Sequence, residues 1–503
     1  MQQNEKKPQN PEELTDQEQS PNQVALDNIR YFFEQVICKI PHGSENCEGL
    51  SDWIVKFAKE RNLKVSQDEK KNVVVIAPAT QGCENAKPVI LQAHLDMVAV
   101  SKNDQFDMKT HTIETIVEGD WMKANETSLG ADDGMGVAMM LYILDDDSIK
   151  HPQLVCIFTV DEEIGAIGAK ALDLRSIPYC KFAINLDWEV DKEVCVGSAG
   201  AKQVKARKSL SFVDTKGGNI IKLSIAGLSG GHSAIAIGND GANAIKLAVD
   251  ALYSVELPYY FGSIYGGQMM SAIPTECSVV ICAVPENTEQ LVLSLKNSLD
   301  SAQERYSRTD PEMKYDIVVE ENQCTSCVSL NDTAEVIGYL HDLPTGAIAM
   351  DCNMPNTAET SLNLGVVSTT ENVIDIEFLL RSSIDSKLEA LYDELQKISS
   401  KYDAETSVGF TVATWEPNWD YPLLDLFKDA FKEVTGKDVI PTITHGGLEC
   451  PEIMKKLSGS QWVSMGSTIE KPHTPDERVS IPSIVQAFAV LCNILSKIAE
   501  ETE

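Results

Sequence analysis

Histidine and acidic side chains follow several apolar runs of the chain, where they could ligate metal ions. HLD, DEE and NLD each follow such a run, PHTPDE follows a late one, and SLGADDG places one aspartate in a glycine-flanked loop. Imidazole and carboxylate suit zinc, manganese or cobalt, and the absence of cysteine argues against a closed structural zinc site. The sequence therefore predicts an open, catalytic metal site. Its candidate residues are His94, Asp96, Asp132, Glu162, Glu163, Asp187 and His473.

The number of ligands predicts two ions. Five are too many for one tetrahedral ion that keeps a position for water, but they suit two ions about 3.5 to 4 Å apart that share a carboxylate. Asp132 is the expected bridge. His94 and Asp187 would complete one ion's ligands, and Glu163 and His473 the other's.

Three further acidic residues receive supporting roles. Asp96 is expected to accept the second N–H of His94 and so orient the ring. If strand geometry persists at DEE, neighbouring side chains point to opposite faces, so Glu163 can ligate while Glu162 faces the bridging water as general base. Asp161 is expected to anchor the loop.

Taken singly, each motif has a plainer interpretation. A lone HxD or EE is most often a strand end or a solvated edge, and His473 alone indicates still less. The ordered set is informative because all its members fall after strands or on loops of one predicted sheet, as a single site requires.

The predicted elements alternate between strand and helix in the first half and again near the C-terminus, which indicates a mostly parallel α/β sheet flanked by helices. In such sheets, ligands bind at the carboxyl ends of the strands. The predicted helices are 24–37, 49–61, 135–144, 422–435 and 484–499, and the predicted strands are 87–92, 154–160, 181–186 and 462–465.

From about residue 204 the pattern changes to longer amphipathic strands at 219–227, 276–284 and 373–380, with helices at 243–252 and 288–301. This change predicts an α+β lid domain inserted into the catalytic domain. The expected division is a disordered tail over 1–20, a catalytic domain over 21–200 and 413–503, and a lid and dimerisation domain over 201–412.

Composition excludes several classes of protein. The chain has 503 residues, of which 43% are apolar and 23% charged, and its net charge is −34. So acidic a surface repels nucleic acid and anionic lipid. No run approaches the roughly 20 apolar residues that span a bilayer, so no membrane partner is expected.

Thirteen cysteines scattered through apolar runs favour reduced thiols and a cytoplasmic protein. Cys324 and Cys327 form one CxxC, but no second pair or nearby histidine supports a zinc knuckle. Unpaired loop thiols are the expectation for both.

With these motifs in hand, the chain resembles the co-catalytic zinc peptidases that include carboxypeptidase G, and within them the aminoacyl-histidine dipeptidases. The resemblance runs from ICKIPHGSENCEGL through QAHLDMV, LGADDG, DEEIGAIGA, GLSGGHSA, AETSLNLGVV, LLRSSIDS and HGGLEC to VSMGSTIEKPHTPDE. It implies two zinc ions per chain, with cobalt or manganese as substitutes, and the ligand and base assignments given above. It also implies a possible homodimer.

Further roles follow from the resemblance. GGHS places His232 where the family's lid histidine stabilises the oxyanion, and Arg381 matches the arginine that binds the substrate carboxylate. Taken alone, His232 would be a turn histidine and Arg381 a solvated surface cation. Ser271 and His445 are candidate substrate contacts, and His445, like Glu449, could equally be structural. Ser271, Trp188 and Pro451 depart from the residues usual in the family, which leaves the substrate preference open.

The predicted function is hydrolysis of small dipeptides, carnosine-like Xaa-His peptides among them, by a zinc-bridged water with Glu162 as general base. Two alternatives stay open. The same site could deacylate N-acyl amino acids, or the chain could bind metal as an interaction protein without turnover.

Overall fold

The computed structural model describes residues 20–500 except 104, 105, 108 and 176, and of residues 215 and 216 only the backbone. The predicted N-terminal tail lies outside this range apart from Ser20, which caps the first helix. The α-helices are α1 Pro21–Arg30, α2 Glu48–Glu60, α3 Ala131–Asp145, α4 Ile167–Ala171, α5 Ser233–Ala236, α6 Ala244–Tyr253, α7 Pro285–Arg305, α8 Leu330–Asp342, α9 Asp385–Lys401, α10 Pro422–Thr435, α11 Cys450–Met454 and α12 Ile481–Glu500.

The strands form three sheets. They are β1 Lys64–Gln67, β2 Val73–Ala77, β3 Val89–His94, β4 Thr115–Glu118, β5 Trp121–Ala124, β6 Leu154–Thr159, β7 Phe182–Asn185, β8 Glu193–Ser198, β9 Gly200–Ser209, β10 Phe212–Ala226, β11 Tyr260–Gly266, β12 Cys277–Ala283, β13 Lys314–Val328, β14 Gly346–Met350, β15 Ala358–Thr370, β16 Val373–Ser382, β17 Glu405–Val412, β18 Ile440–Thr444, β19 Gln461–Ser464, β20 Ile469–Glu470 and β21 Arg478–Ser480.

The first sheet positions the candidate site. Its order is β1-β2-β6-β3-β7-β19-β8-β18. The pairs β6/β3, β3/β7, β7/β19 and β8/β18 are parallel, and the other three are antiparallel. Every residue of β3, β6 and β7 is buried, as in strands covered on both faces. The predicted α/β class is confirmed, and the carboxyl ends of these three parallel strands lie side by side.

The second sheet is built only from strands between Gly200 and Val412. Its order is β13-β10-β12-β11-β15-β16-β9-β17, with β14 paired to β15, and all of its pairs are antiparallel. Its apolar face packs with α6, α7, α8 and α9 into a core of its own. A small third sheet, β20-β21-β5-β4, joins the C-terminal segment to the hairpin that precedes α3.

Helix α12 packs on α1 and α10 in the core of the first sheet. By length and composition alone, α12 could cross a membrane, and it is the one helix within the described residues that could. No such segment was expected from the sequence. Half of the most apolar stretch of α12 is buried against the protein. This burial accounts for its apolar character.

The expectation of unpaired thiols is wrong for two cysteines. Cys324 and Cys327 both lie in β13 rather than in a loop, and the sulfur of Cys324 is bonded to that of Cys282 in β12 across the intervening strand β10. The pairing of β10 with β13 is irregular at Gly218. A Cβ at Gly218 would lie 2.8 Å from the Cys282 sulfur, so the missing side chain leaves room for the crosslink.

Candidate metal and hydrolytic site

The first group of candidate ligands joins three elements of the first sheet. His94 ends β3, Asp132 lies in a turn of non-helical backbone at the start of α3, and Asp187 follows β7. Nε2 of His94 lies 3.2 Å from Oδ1 of Asp132 and 3.6 Å from Oδ1 of Asp187. One ligand atom from each residue lies within 4.8 Å of the other two, which is the spacing expected around one ion.

The second group shares Asp132. Nε2 of His473, in the loop between β20 and β21, lies 3.0 Å from Oδ2 of Asp132 and 2.9 Å from Oε1 of Glu163. The two carboxylate oxygens of Asp132 therefore face different histidines, as a bridging ligand requires. The five side chains predicted as ligands are brought together in two triads with one member in common.

The electrostatics of the cluster fit bound cations. Burial, and next to it the neighbouring carboxylates, raise the pKa of Asp187 and of Glu189 to about 8, and also raise those of Glu162 and Glu163. Hydrogen bonds to Asp132 and Glu163 raise the pKa of His473 to about 11. Burial without a counter-charge thus disfavours the ionised form of these acids, and a set of two imidazoles and three carboxylates suits divalent zinc, manganese or cobalt.

Asp96 contacts His94 differently from the prediction. Nδ1 of His94 lies 2.9 Å from the backbone carbonyl oxygen of Asp96, whereas the nearest carboxylate oxygen is 3.6 Å away. The carboxylate instead accepts the backbone N–H groups of Glu162 at 2.9 Å and Glu163 at 3.2 Å, and the hydroxyl of Ser44. Asp96 thus orients the histidine through its main chain and fixes the Glu162–Glu163 turn through its side chain.

The turn that carries Glu162 and Glu163 is not a continuation of β6. The strand ends at Thr159, and Asp161 has a positive φ of 55°, so the alternation of a strand does not decide where these side chains point. The Asp161 carboxylate accepts the backbone N–H of Glu45 at 2.6 Å, which confirms its expected role as a loop anchor.

Glu477 supports the site and was missed by sequence reasoning, although it ends the motif PHTPDE. Its carboxylate is 2% exposed and accepts the backbone N–H groups of Leu129, Gly130 and Ala131 at 2.8 to 3.1 Å, and that of Asp132 at 3.5 Å. Burial raises its pKa to about 7, and these N–H groups act in the opposite direction. A carboxylate that follows His473 by four residues thus holds the turn that presents Asp132.

Arg381, in β16, is not the solvated cation that its sequence context would favour. It is 8% exposed, its Nη1 donates to the backbone carbonyl of His445 at 3.4 Å, and its Nε has no hydrogen-bond partner within the described residues. Burial lowers its pKa to about 10, so it remains a cation. It lines a cavity of 870 Å³ together with Glu162 and Glu163.

His445 and Glu449 support the floor of the site. His445 is buried, its Nε2 lies 2.7 Å from the Ser361 hydroxyl, and burial and the charge of Arg381 lower its pKa to about 3. Glu449 is fully buried and accepts hydrogen bonds from Gln92 and Thr159, beneath the ends of β3 and β6. His445 therefore contacts the Arg381 segment, whereas Glu449 has structural contacts.

His232 caps the short helix α5, in the loop that follows β10 of the second sheet. Its Nδ1 accepts the backbone N–H of Ala234 at 3.3 Å, and the backbone N–H of Ser233 donates to the carbonyl of Ser271 at 2.7 Å. Burial and the charges of Arg381 and His473 lower the pKa of His232. Ser271 thus positions the His232 segment through its backbone.

A second cavity, of 320 Å³, lies over the two triads. It is lined by Asp132, Glu162, Glu163, Asp187 and His473, and by Trp188, Glu189, Val190 and Thr444. The departures Trp188 and Pro451 lie in different places. Trp188 is part of this cavity wall, whereas Pro451 lies in the first turn of α11.

Comparison with known proteins agrees with this geometry. The chain is 33% identical to the cytosol non-specific dipeptidase of Escherichia coli over 471 residues, which cover 92% of this chain and 96% of that protein. Its structure matches the aminoacylhistidine dipeptidase of Vibrio alginolyticus with a TM-score of 0.84 and 30% identity, covering 93% of this chain and 96% of that one. A tripeptidase of Staphylococcus aureus shares the fold, with a TM-score of 0.55 and 16% identity over 95% of this chain and 99% of that one.

A family model also matches most of the chain. The model of "Peptidase family M20/M25/M40" matches residues 90–497, a range that begins in β3 and ends in α12 and so contains all five candidate ligands. From this match and the E. coli relative, the chain belongs to peptidase family M20/M25/M40 and is a hydrolase.

Proposed function

We propose that this protein is a dipeptidase that hydrolyses Xaa-His and related dipeptides in the cytoplasm, with two divalent zinc ions held by the two triads. The observation that carries the proposal is the sharing of Asp132 between the triads, next to a cavity lined by Glu162 and by the buried Arg381, which pairs with no acidic side chain among the described residues. The names of the E. coli and Vibrio relatives support the substrate class and, for the former, the compartment.

Arg381 would bind the substrate's C-terminal carboxylate. A buried guanidinium without a carboxylate partner is costly unless a ligand supplies one, and its planar fork suits bidentate pairing with a free carboxylate. Among the described residues no acidic side chain pairs with Arg381. This contact would fix the distance from the chain end to the bond that is cleaved, and so favour dipeptides.

Glu162 would act as general base and acid. When bound, two divalent cations supply Lewis acidity that activates water and polarises the scissile carbonyl. Glu162 belongs to neither triad but lines both cavities. Its backbone N–H donates a hydrogen bond to the Asp96 carboxylate. From this position the Glu162 carboxylate would take the proton of the attacking water and return it to the leaving amine.

His232 would stabilise the negative charge that develops on the carbonyl oxygen. Because Nδ1 accepts a hydrogen bond and the lowered pKa keeps the ring neutral, the proton lies on Nε2, which is then a donor. The homodimer stays a prediction, which light scattering of purified protein would test.

A substrate panel tests the proposal. Metal-loaded protein is expected to cleave alanyl-histidine, carnosine and other dipeptides faster than N-acetylated amino acids, and to lose activity in chelator. Preference for N-acyl amino acids would favour the deacylase alternative, and no cleavage at saturating metal would favour a binding protein without turnover.

A further inference from the structure

Glu189 is a carboxylate of the site that the proposed mechanism leaves unused. It lies two residues after Asp187, is half-buried, and lines the 320 Å³ cavity beside the two triads. Its backbone carbonyl accepts the N–H of Ile469 at 3.1 Å, which fixes the main chain. Over the part of the chain that the structure describes, its side chain has no hydrogen-bond or ion-pair partner.

The two cavities meet at the residues that would perform the hydrolysis. The larger one contains Arg381 and the smaller one Glu189, and both are lined by Glu162, Glu163, Gly447 and Leu448. Among the described residues, a guanidinium that pairs with no acidic side chain and a carboxyl group that pairs with no basic one therefore line two cavities that share Glu162. A dipeptide with free ends carries the opposite charges, one on each side of its single peptide bond.

We propose that Glu189 binds the α-ammonium group of the substrate's N-terminal residue, whose side chain occupies the small cavity beside Trp188 and Val190. This inference rests on the proposed dipeptidase function and assigns the N-terminal half of the substrate. The other four acids of the cavity already have proposed roles, since Asp132, Asp187 and Glu163 belong to the triads and Glu162 is the proposed general base.

The chemistry of the contact gives it selectivity. An ammonium group supplies the charge partner and donors that a half-buried carboxylate lacks, and such charge-assisted hydrogen bonds are stronger than neutral ones. A neutral N-acyl substrate would cover Glu189 without pairing it, which costs binding free energy. Glu189 would therefore select free dipeptides against N-acylated amino acids.

A matched pair of substrates tests the inference. Propanoyl-histidine differs from alanyl-histidine only by a hydrogen in place of the ammonium group. The wild-type protein is expected to favour alanyl-histidine in kcat/KM by about 10- to 100-fold, the effect of one charge-assisted hydrogen bond. Glu189→Gln should lower kcat/KM for alanyl-histidine by a similar factor, mainly through KM, and leave that for propanoyl-histidine nearly unchanged.

Controls separate this role from a structural one. Glu60→Gln, on the exposed face of α2, should leave both substrates unaffected. Metal content and the thermal unfolding temperature of Glu189→Gln should match the wild type, and Glu189→Asp should recover part of the preference. If Glu189→Gln lost metal, the role of Glu189 would be judged from the wild type and Glu189→Asp instead, by the ratio of kcat/KM for alanyl-histidine to kcat/KM for propanoyl-histidine.

The outcomes distinguish the two proposals. Equal wild-type activity on both substrates, or an unchanged ratio in Glu189→Gln, would overturn the role of Glu189 and leave the hydrolase intact. Cleavage of neither substrate by metal-loaded wild type would instead overturn the proposed dipeptidase function.

Discussion

Replacing Glu477 by glutamine tests whether this buried carboxylate holds the site together. The substitution keeps the side chain's size but changes one acceptor oxygen into an NH2 group. That group would face two of the four backbone N–H groups that now donate to the carboxylate, those of Leu129 and Gly130 or those of Ala131 and Asp132. Two buried donors would then lack an acceptor.

The expected size of the effect follows from these contacts. A buried donor left without a partner costs about 1–3 kcal/mol, and two neighbouring ones are not additive, so we expect a loss of about 2–4 kcal/mol in the free energy of unfolding. Because the displaced turn presents Asp132, metal affinity should fall by about 10- to 100-fold, as is typical when groups that orient metal ligands are removed.

Two measurements check this prediction. Urea unfolding of the metal-free protein gives the change in stability, and competition with a chelating dye gives the change in metal affinity. The matched control is Asp476→Asn, since Asp476 is adjacent but pairs with Lys102 at the surface, where both side chains are more than half exposed. The control should lose no more than about 1 kcal/mol. If Glu477→Gln behaved like the control in both measurements, the proposed support of Asp132 would be wrong.

Four further predictions concern the chemistry of the site. Glu162→Gln should keep its metal, measured by elemental analysis, but lose about 10²- to 10⁴-fold in kcat; a near-normal kcat would assign the base elsewhere. Chelation should abolish hydrolysis and lower the thermal unfolding temperature, since metal at 100 times its Kd stabilises by about 2.7 kcal/mol, and full activity after verified removal would exclude a metal mechanism. Arg381→Lys should raise KM more than it lowers kcat, whereas Arg207→Lys, on the exposed side of β9, should change neither; equal KM values in the two variants would argue against a carboxylate clamp. The pKa of His445 falls from 6.5 to about 3 on folding, so this histidine binds a proton more readily in the unfolded chain. The free energy of unfolding should therefore fall as the pH drops below 6.5, by up to about 1.4 kcal/mol per pH unit. Urea unfolding of His445→Gln should show a shallower dependence of this free energy on pH.

The ligands could be predicted because they lie beside features that the sequence displays. His94 and Asp187 follow buried strands, and parallel strands bring their carboxyl ends to one edge of the sheet. Local signals also predicted the bounds of α10, which runs from Pro422 to Thr435 as expected. Proline begins this helix, and Gly436 ends it with a positive φ of 71°.

Contacts between distant segments could not be predicted in the same way. Glu477 acts on backbone N–H groups that lie about 345 residues earlier, and no side chain there reveals its acceptor. The turn that presents Asp132 depends on this contact, since it contains no side-chain cap, whereas the regular part of α3 begins after Asp133, next to the predicted residue 135. The disulfide likewise depends on an irregularity of β10, and apolar runs around cysteine indicate only burial.

The candidate metal ligands and the groups proposed to hold the substrate's carboxylate and oxyanion come from different stretches of the chain. None of the five ligands lies between Gly200 and Val412, whereas His232 and Arg381 both do. Mutations in the second sheet can therefore accumulate without replacing any of the candidate metal ligands. Descendants of such a chain could diverge in what they digest while inheriting the same hydrolytic machinery, and the inserted segment is the natural target for redesigning selectivity.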